Sequence, residues 1–292
     1  LDLKPGDEVI LTDHEHVGNA DPWLNRKRKD GITIKVLNLK ATQEQCLEDL
    51  TGLITPRTRV IAVPHVTCTT GQVLPIKEIC TMAREKGILT FIDGAHGVGM
   101  MNLDLKALGC DIYASCGHKW LLGPKGTGIL YVRKELIEEL DALFIGSYTD
   151  DGWIISTDKS ELSGLKNTAH RFYYGTQNTS LYAGLEAAVN FMESVGPARV
   201  EARVRELNQM LYSELASLDG IEILTPEEKV SRCGMVSFRF GEKTVKWYGK
   251  MKAEKWVIRF VPESGLDCIR VSTHIYNSES DIKRFIEKVK SR

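Results

Sequence analysis

The sequence predicts an α/β fold with a mostly parallel sheet, followed by a smaller α+β unit. Its first half alternates short apolar runs with stretches whose apolar residues recur at helical spacing, the pattern of a parallel sheet covered by helices. A length of 292 residues is enough for two hydrophobic cores. With 42% hydrophobic and 26% charged residues, the composition is that of a globular protein and excludes a disordered chain.

Four of the apolar runs share one kind of ending. They are residues 8–12, 59–63, 88–92 and 111–115. The side chains that follow them can ionise or bind metal: Asp13, His14, Glu15 and His16; His65; Asp93 and His96; Cys116, His118 and Lys119. Because ligands in open α/β sheets bind outside the carboxyl ends of the strands, this pattern predicts an active site at one edge of the sheet.

Helical spacing and stop signals divide the residues that follow these strands. Residues 76–86 are predicted to form a helix that Gly87 stops. Residues 129–132 are predicted to form a further strand after a loop rich in Gly and Pro. The polar stretch 150–167 is predicted to be an irregular surface excursion.

A break between two helical patterns predicts a domain boundary. Residues 181–195 and 198–218 have helical spacing, and Gly196-Pro197 separates them. We therefore expect a large domain at residues 1–196 and a small α+β domain at residues 197–292. The predicted elements of the small domain are strands 234–240 and 268–272 and a closing helix 280–289.

Charge and cysteine usage exclude several classes of protein. A net charge of -1 does not suit binding to nucleic acid or to a membrane surface, because both need a concentrated excess of positive charge. No apolar stretch approaches the roughly 18 residues that span a bilayer, and the first ten residues lack the pattern of a signal peptide. Seven scattered cysteines without a C-x-x-C pair argue against a disulfide framework and indicate the cytoplasm.

Lys119 and Asp93 are the pair of groups that pyridoxal phosphate (PLP) chemistry requires. The cofactor needs a lysine amine for a Schiff base and a carboxylate that keeps its pyridinium nitrogen protonated. Two other hypotheses remain open from the residues alone. One is a metallohydrolase with ligands drawn from His14, His16, Asp21, His65, Asp93 and His96. The other is a non-catalytic binding or scaffold protein of the same fold.

The stretch from Gly117 to Gly126 resembles the PLP-lysine segment of class V aminotransferases, the group that contains cysteine desulfurases, isopenicillin N epimerase and cyst(e)ine C–S lyases. Other segments resemble the family in the same order along the chain: 12–23, 93–96, 175–178 and 269–277. The resemblance implies the type I fold of PLP-dependent transferases. It also implies that a further N-terminal part of the large domain, with a loop that cradles the phosphate, is absent from this chain.

The resemblance implies a role for each residue around the cofactor ring. Lys119 is implied to form the Schiff base and then to act as general base at the substrate Cα. Asp93 is implied to hold the pyridinium nitrogen, and His16 to stack on the ring. His96 is implied to contact the ring hydroxyl.

Further residues are implied to bind the phosphate and the substrate. Cys116 and His118 take the positions of phosphate contacts, and Thr176 takes that of a residue that reaches the phosphate of the other subunit in a homodimer. Arg270 takes the position of the arginine that clamps the α-carboxylate of an amino-acid substrate, for which a bidentate guanidinium is suited.

Departures from the desulfurase pattern favour the epimerase or C–S lyase branch. Residues 259–267 contain no cysteine, whereas desulfurases place a mobile nucleophilic cysteine before the arginine clamp. Cys268 lies inside a predicted strand, where a cysteine is expected to be inert. Cys68 stands where desulfurases have Asn, and Cys116 where many members have a hydroxyl residue. A desulfurase, a selenocysteine lyase or an aminotransferase of the family is the alternative.

Overall fold

The computed structural model describes all 292 residues, and its central sheet confirms the predicted α/β fold. The strands of this sheet are β1 (Glu8–Thr12), β2 (Thr33–Leu37), β3 (Thr58–Pro64), β4 (Leu89–Asp93), β5 (Ile112–Cys116) and β6 (Gly128–Val132). The helices of this part are α1 (Val17–Asp30), α2 (Gln43–Leu53), α3 (Ile76–Glu85), the single turn α4 (Leu105–Leu108) and α5 (Thr179–Val195).

The order of the strands places the predicted strand ends together. The sheet runs β2-β1-β3-β4-β5-β6, and every pair is parallel except β5 with β6. The four strands predicted from the sequence, β1, β3, β4 and β5, are therefore adjacent and point the same way. Their carboxyl ends meet at one edge, as the sequence pattern predicted.

Alternating layers explain why these segments adopt strands and helices. Val9, Ile10 and Ile61 are fully buried in the middle of the sheet, as expected for parallel strands covered on both faces. Ile76 and Ile79 of α3 pack into one core cluster with Ile10 and Ile61, because their spacing puts them on one face of the helix. Burying each of these side chains contributes about 1.5–3 kcal/mol, so the sheet is a rigid base for its edge loops.

The excursion predicted at residues 150–167 is exposed but not wholly irregular. It contains two three-residue strands, β7 (Trp153–Ile155) and β8 (Ser160–Leu162), which pair as an antiparallel hairpin. All six residues of these strands are exposed. The prediction of an irregular segment was wrong here because the strands are too short to give a readable alternation.

The last third of the chain forms the expected α+β arrangement. Its elements are α6 (Pro197–Ala216), β9 (Glu222–Ile223), β10 (Met235–Arg239), α7 (Lys243–Ala253), β11 (Arg259–Val261), β12 (Cys268–Ser272) and α8 (Glu279–Lys290). The strands form an antiparallel sheet in the order β11-β12-β10-β9. Phe238 and Ile269 from the sheet, with Leu211 of α6 and Phe285 of α8, belong to one buried cluster.

Helix α6 contributes to two cores. Val200 and Val204 belong to a cluster with Trp120 and Leu121 of the first part, whereas Leu211, a few turns further along, faces the second sheet. The division at 196/197 stays a prediction, since the helix that follows it packs on both sides.

Candidate active site

The ends of β3, β4 and β5 are hydrogen-bonded into one ledge. In register, Pro64 pairs with Asp93, and Asp93 pairs with Ala114. The Asp93 carbonyl accepts from the His65 N–H at 2.8 Å, and the Ala114 carbonyl accepts from the Gly94 N–H at 2.7 Å. The Asp93 Oδ1 also accepts from the Ala95 N–H at 2.9 Å. These bonds fix the direction of the carboxylate at the predicted edge.

A buried tyrosine beneath this ledge makes glycine necessary at position 94. The Tyr113 ring is fully buried, and its hydroxyl lies 2.9 Å from Nδ1 of His65. A Cβ at Gly94 would lie 1.7 Å from a carbon of that ring, a distance that no packing allows. The Asp-Gly pair is therefore more than a turn signal, since the close approach of Tyr113 sets the position of the Asp93 turn.

A tight turn from Gly117 to Gly123 presents Lys119. The Gly123 N–H donates to the Gly117 carbonyl at 2.7 Å, and the Leu122 N–H donates to the Lys119 carbonyl at 3.1 Å. Leu122 adopts a φ of 63°, which is strained for a residue with a side chain. The turn places Nζ of Lys119 at 3.3 Å from Nε2 of His96.

His96 is the centre of the charged groups at this edge. His96 is only 7% exposed. This burial lowers the pKa of its imidazole well below the ordinary value. The positive charges of Lys119 and Arg270, and the neighbouring His16, lower the pKa of His96 further. Three further residues predicted from the sequence therefore lie close enough to His96 for their charge to act on its ring.

His16 lies at the exposed start of α1 and caps that helix. Its Nδ1 accepts from the Gly18 N–H at 3.0 Å. The loop before it is held by Glu15, whose carboxylate accepts from the Thr12 N–H at 2.9 Å and from Nδ2 of Asn19 at 2.7 Å. Burial raises the pKa of Glu15. The sequence pattern includes Glu15 among the ionisable residues after β1 but assigns it no role of its own, because an acid next to two histidines is not distinguishable there from a surface residue.

Two arginines face each other where a substrate carboxylate is expected. Arg270 of β12 and Arg259 of β11 are directly opposite in register, and both donate to the carbonyl of Cys68. Nε of Arg270 is buried and has no partner. Burial, and then the charge of Arg259, lower the pKa of Arg270 to about 10. Like charges directly opposite each other destabilise a sheet, so this pair is suited to holding an anion.

Arg259 is a site residue that the sequence analysis missed. The available signal was a second arginine at the start of the short apolar run Arg259-Phe260-Val261, eleven positions before Arg270. Only the pairing of β11 with β12 brings the two together. Glu263 forms an ion pair with Arg259, which leaves Arg270 as the less neutralised of the two.

The remaining predicted residues lie around this centre. Cys116 is half-buried, and its Sγ donates to the Ala95 carbonyl at 3.7 Å. Burial raises the pKa of the Cys116 thiol, and the charge of Lys119 opposes this shift. His118 and Thr176 are both exposed. Their phosphate contacts stay predictions.

The histidines required by the metallohydrolase hypothesis do not converge. No three His, Cys, Asp or Glu side chains form a group that could hold a metal ion. Nδ1 of His14 lies 2.7 Å from the Thr69 hydroxyl, and Nδ1 of His65 is hydrogen-bonded to the Tyr113 hydroxyl. The geometry therefore does not support a metal centre at these residues. Among the helices, none combines the length and apolar character that crossing a bilayer requires.

Comparison with known proteins extends over nearly the whole chain. An isopenicillin N epimerase of Amycolatopsis lactamdurans is 30% identical over an alignment that covers 99% of this chain and 74% of the relative. A probable cysteine desulfurase of Xylella fastidiosa (strain 9a5c) is 31% identical, over 97% of this chain and 69% of the relative.

Solved structures agree with these relatives. The cystine C–S lyase C-DES, in complex with its reaction product cysteine persulfide, superposes with a TM-score of 0.90 at 28% identity, over 99% of this chain and 76% of that one. The sequence model of the family described as "Aminotransferase class-V" matches residues 1–285. The chain therefore belongs to the aminotransferase class-V family of PLP-dependent enzymes.

Proposed function

We propose that this protein binds PLP through Lys119 and transforms an amino acid at Cα or Cβ. The observation that carries the proposal is the contact of 3.3 Å between Nζ of Lys119 and Nε2 of His96, with the unpartnered Nε of Arg270 in the same electrostatic environment. An amine, a neutral imidazole and a free guanidinium donor match a carbonyl cofactor and a carboxylate substrate.

The donor set of the strand edge fits PLP. Lys119 would hold the cofactor, Asp93 its pyridinium nitrogen, His16 its ring face and His96 its ring hydroxyl. When bound, PLP withdraws electrons from the carbanion formed at the substrate Cα. The proposed phosphate contacts are Cys116, His118 and, from the second subunit, Thr176.

The two arginines would bind the α-carboxylate. A carboxylate between Arg270 and Arg259 gives Nε of Arg270 the partner that it lacks and relieves the repulsion across β11 and β12. With the substrate held there, Lys119 would be free to take the Cα proton at Nζ.

Within the family we favour an epimerase or a C–S lyase. Residues 259–267 carry no cysteine, and Cys268 is completely buried in β12. Burial raises the pKa of the Cys268 thiol to about 11, which suppresses the thiolate that attacks sulfur. Desulfurase, selenocysteine lyase and aminotransferase activities are the alternatives, and they differ from the favoured branch in their products.

Lys119→Ala tests the proposal directly. We expect the variant to lose the visible absorbance of protein-bound PLP and at least about a thousandfold in kcat, because covalent attachment and the Cα base disappear together. Lys125→Ala, an exposed lysine in the same loop, is the matched control and should keep both. Wild-type protein that takes up no PLP, or a Lys119→Ala variant with full activity, would contradict the proposal.

A panel of amino acids distinguishes the branches. Sulfide, pyruvate and racemised amino acid are measured separately with cystine, cysteine and bulkier amino acids as substrates. Pyruvate together with a sulfur product indicates a C–S lyase, whereas inverted substrate alone indicates an epimerase. Alanine formed from cysteine would favour a desulfurase instead. Turnover of none of them would favour the scaffold hypothesis.

A homodimer in the cytoplasm completes the proposal. Residues 143–174, named the apolar segment below, expose several large hydrophobic side chains: Leu143, Phe144, Ile145, Trp153, Ile155 and Tyr174. Exposed apolar surface of this extent is typical of an interface. Thr176 lies two residues after this segment and is exposed, which supports its proposed role at the site of the other subunit. The cytoplasmic location rests on the cysteine pattern and stays a prediction.

A further inference from the structure

Trp120 makes a hydrogen bond that determines where His96 carries its proton. The indole Nε1 of Trp120 lies 2.9 Å from Nδ1 of His96. An indole nitrogen can only donate, so Nδ1 must be the acceptor. A neutral imidazole carries one N–H, which is therefore on Nε2.

The surroundings keep this imidazole neutral. His96 is 7% exposed and Trp120 is 4% exposed. The ionisable groups that bear on His96 are Lys119, Arg270, His16 and Arg259, and each of them, when it carries its positive charge, disfavours a second proton on the ring. A doubly protonated imidazole would also carry a proton on Nδ1. That proton would point at the N–H of the Trp120 indole, and two donors cannot form a hydrogen bond.

The protonated nitrogen faces the catalytic lysine. Nε2 of His96 lies 3.3 Å from Nζ of Lys119. An ammonium has no lone pair, so an imidazole N–H can donate to this nitrogen only when the amine is neutral. We propose that Trp120 is a positioning residue that fixes His96 as the Nε2–H tautomer and so makes it a hydrogen-bond donor toward Nζ of Lys119 in the neutral form of that amine.

Trp120 is itself held by residues that follow β12. The ring of His274 stacks on the indole at 5.3 Å with an interplanar angle of 16°. Its Nε2 donates to the Trp120 carbonyl at 2.9 Å, while its Nδ1 accepts from the Ile275 N–H at 2.8 Å. The ring of Tyr276 stacks on His274 in turn at 4.8 Å. The C-terminal part of the chain thereby fixes the indole that fixes His96.

The consequence for the reaction rests on the proposed function. There, His96 contacts the ring hydroxyl of PLP, and a fixed Nε2–H tautomer makes it a donor to that oxygen. A donor at this place stabilises negative charge on the oxygen. Trp120 thus acts on the cofactor through His96 without touching it.

Nitrogen NMR of the cofactor-free protein tests the tautomer. In ¹⁵N-histidine protein, long-range correlations distinguish a protonated from an unprotonated ring nitrogen, and the signal missing from His96→Gln identifies His96. We expect protonated Nε2 and unprotonated Nδ1 in the wild type. Trp120→Phe keeps an aromatic ring on His274 but removes the donor, so the ratio of Nδ1–H to Nε2–H should rise about fivefold, the equivalent of about 1 kcal/mol.

Trp247→Phe is the matched control, because Trp247 is a buried tryptophan of the other core. It should leave the His96 signals unchanged. A protonated Nδ1 in the wild type, or an unaltered ratio in Trp120→Phe, would overturn the proposal. If Trp120→Phe fails to fold, the wild-type spectrum decides alone by the state of Nδ1.

Kinetics of the PLP-loaded enzyme give a second readout. We expect Trp120→Phe to lower kcat about tenfold with KM nearly unchanged, and to shift the pH profile of the bound-cofactor absorbance. A wild type that binds no PLP defeats the proposed function, whereas the tautomer is still read from the cofactor-free protein. The two failures are therefore distinguishable.

Discussion

Arg270 and Arg259 form an arrangement that destabilises the fold in two ways, by repulsion between like charges and by a buried donor without a partner. They lie opposite each other in register, and Nε of Arg270 is buried without a partner. We expect Arg270→Lys to lower kcat/KM about 10- to 100-fold, mainly through a higher KM, because an ammonium cannot bind a carboxylate in two places. Steady-state kinetics measure this. Arg239→Lys, on the neighbouring β10 and paired with Glu222 at the surface, is the control; an unchanged KM in Arg270→Lys would count against the clamp.

At the residue scale, the sequence predicts groups that follow strands and misses groups that depend on ring direction or register. Asp93 and Lys119 are readable because Asp93 directly follows one predicted strand and Lys119 lies in the short stretch after another. Trp120 reads as a bulky core residue, and its role needs the 2.9 Å contact to His96. Arg259 needs the pairing of β11 with β12. The hydrophobic periodicity of one sequence predicts neither the contact of Trp120 with His96 nor the pairing of Arg259 with Arg270.

Between elements, the buried pair of His65 and Tyr113 ties the end of β3 to β5 and makes stability depend on pH. Burial lowers the pKa of His65 from 6.5 to about 4. His65 therefore binds a proton near pH 6.5 in the unfolded chain but only near pH 4 in the folded protein. The contribution of His65 to the free energy of unfolding is fully present above pH 6.5 and is lost as the pH falls from there toward 4. The expected loss from this one group is roughly 2 kcal/mol at pH 4.5.

Urea unfolding at pH 7.5 and pH 4.5 measures this loss. In His65→Gln, the difference in unfolding free energy between the two pH values should be roughly 2 kcal/mol smaller than in the wild type. His170→Gln, at an exposed histidine, should keep the wild-type difference. A His65→Gln variant with the same pH dependence as the wild type would refute the assignment.

At the element scale, burial decides which strands the sequence reveals. β1 and β12 have the predicted bounds, because the apolar residues of each strand are flanked by polar residues at its end. β2 was not predicted, since it lies at the edge of the sheet and its sequence Thr-Ile-Lys-Val-Leu is mostly half-exposed or exposed. The hairpin β7–β8 was missed because its strands have three residues each and none of these residues is buried.

Across the whole molecule, the apolar segment 143–174 is the feature that a single chain leaves unexplained. Leu143 is 88% exposed and Ile155 is 77% exposed, and the rings of Phe144 and Tyr174 contact each other at 5.6 Å between centroids. A second copy of the chain is the proposed cover, since a symmetric dimer buries the same surface on both subunits. The monomer would otherwise expose this surface to water.

Light scattering after size exclusion tests this cover. We expect a wild-type dimer at micromolar concentration, and a monomer with strongly reduced activity for the double variant Phe144→Lys/Ile155→Lys, because two buried charges cost several kcal/mol at an interface. Val257→Lys is the control: Val257 is fully exposed but lies outside the apolar segment, so this variant should remain dimeric and active. A wild-type monomer with full activity would exclude both the dimer and the contribution of Thr176 to the second site, and the cofactor phosphate would then depend on residues of one chain alone.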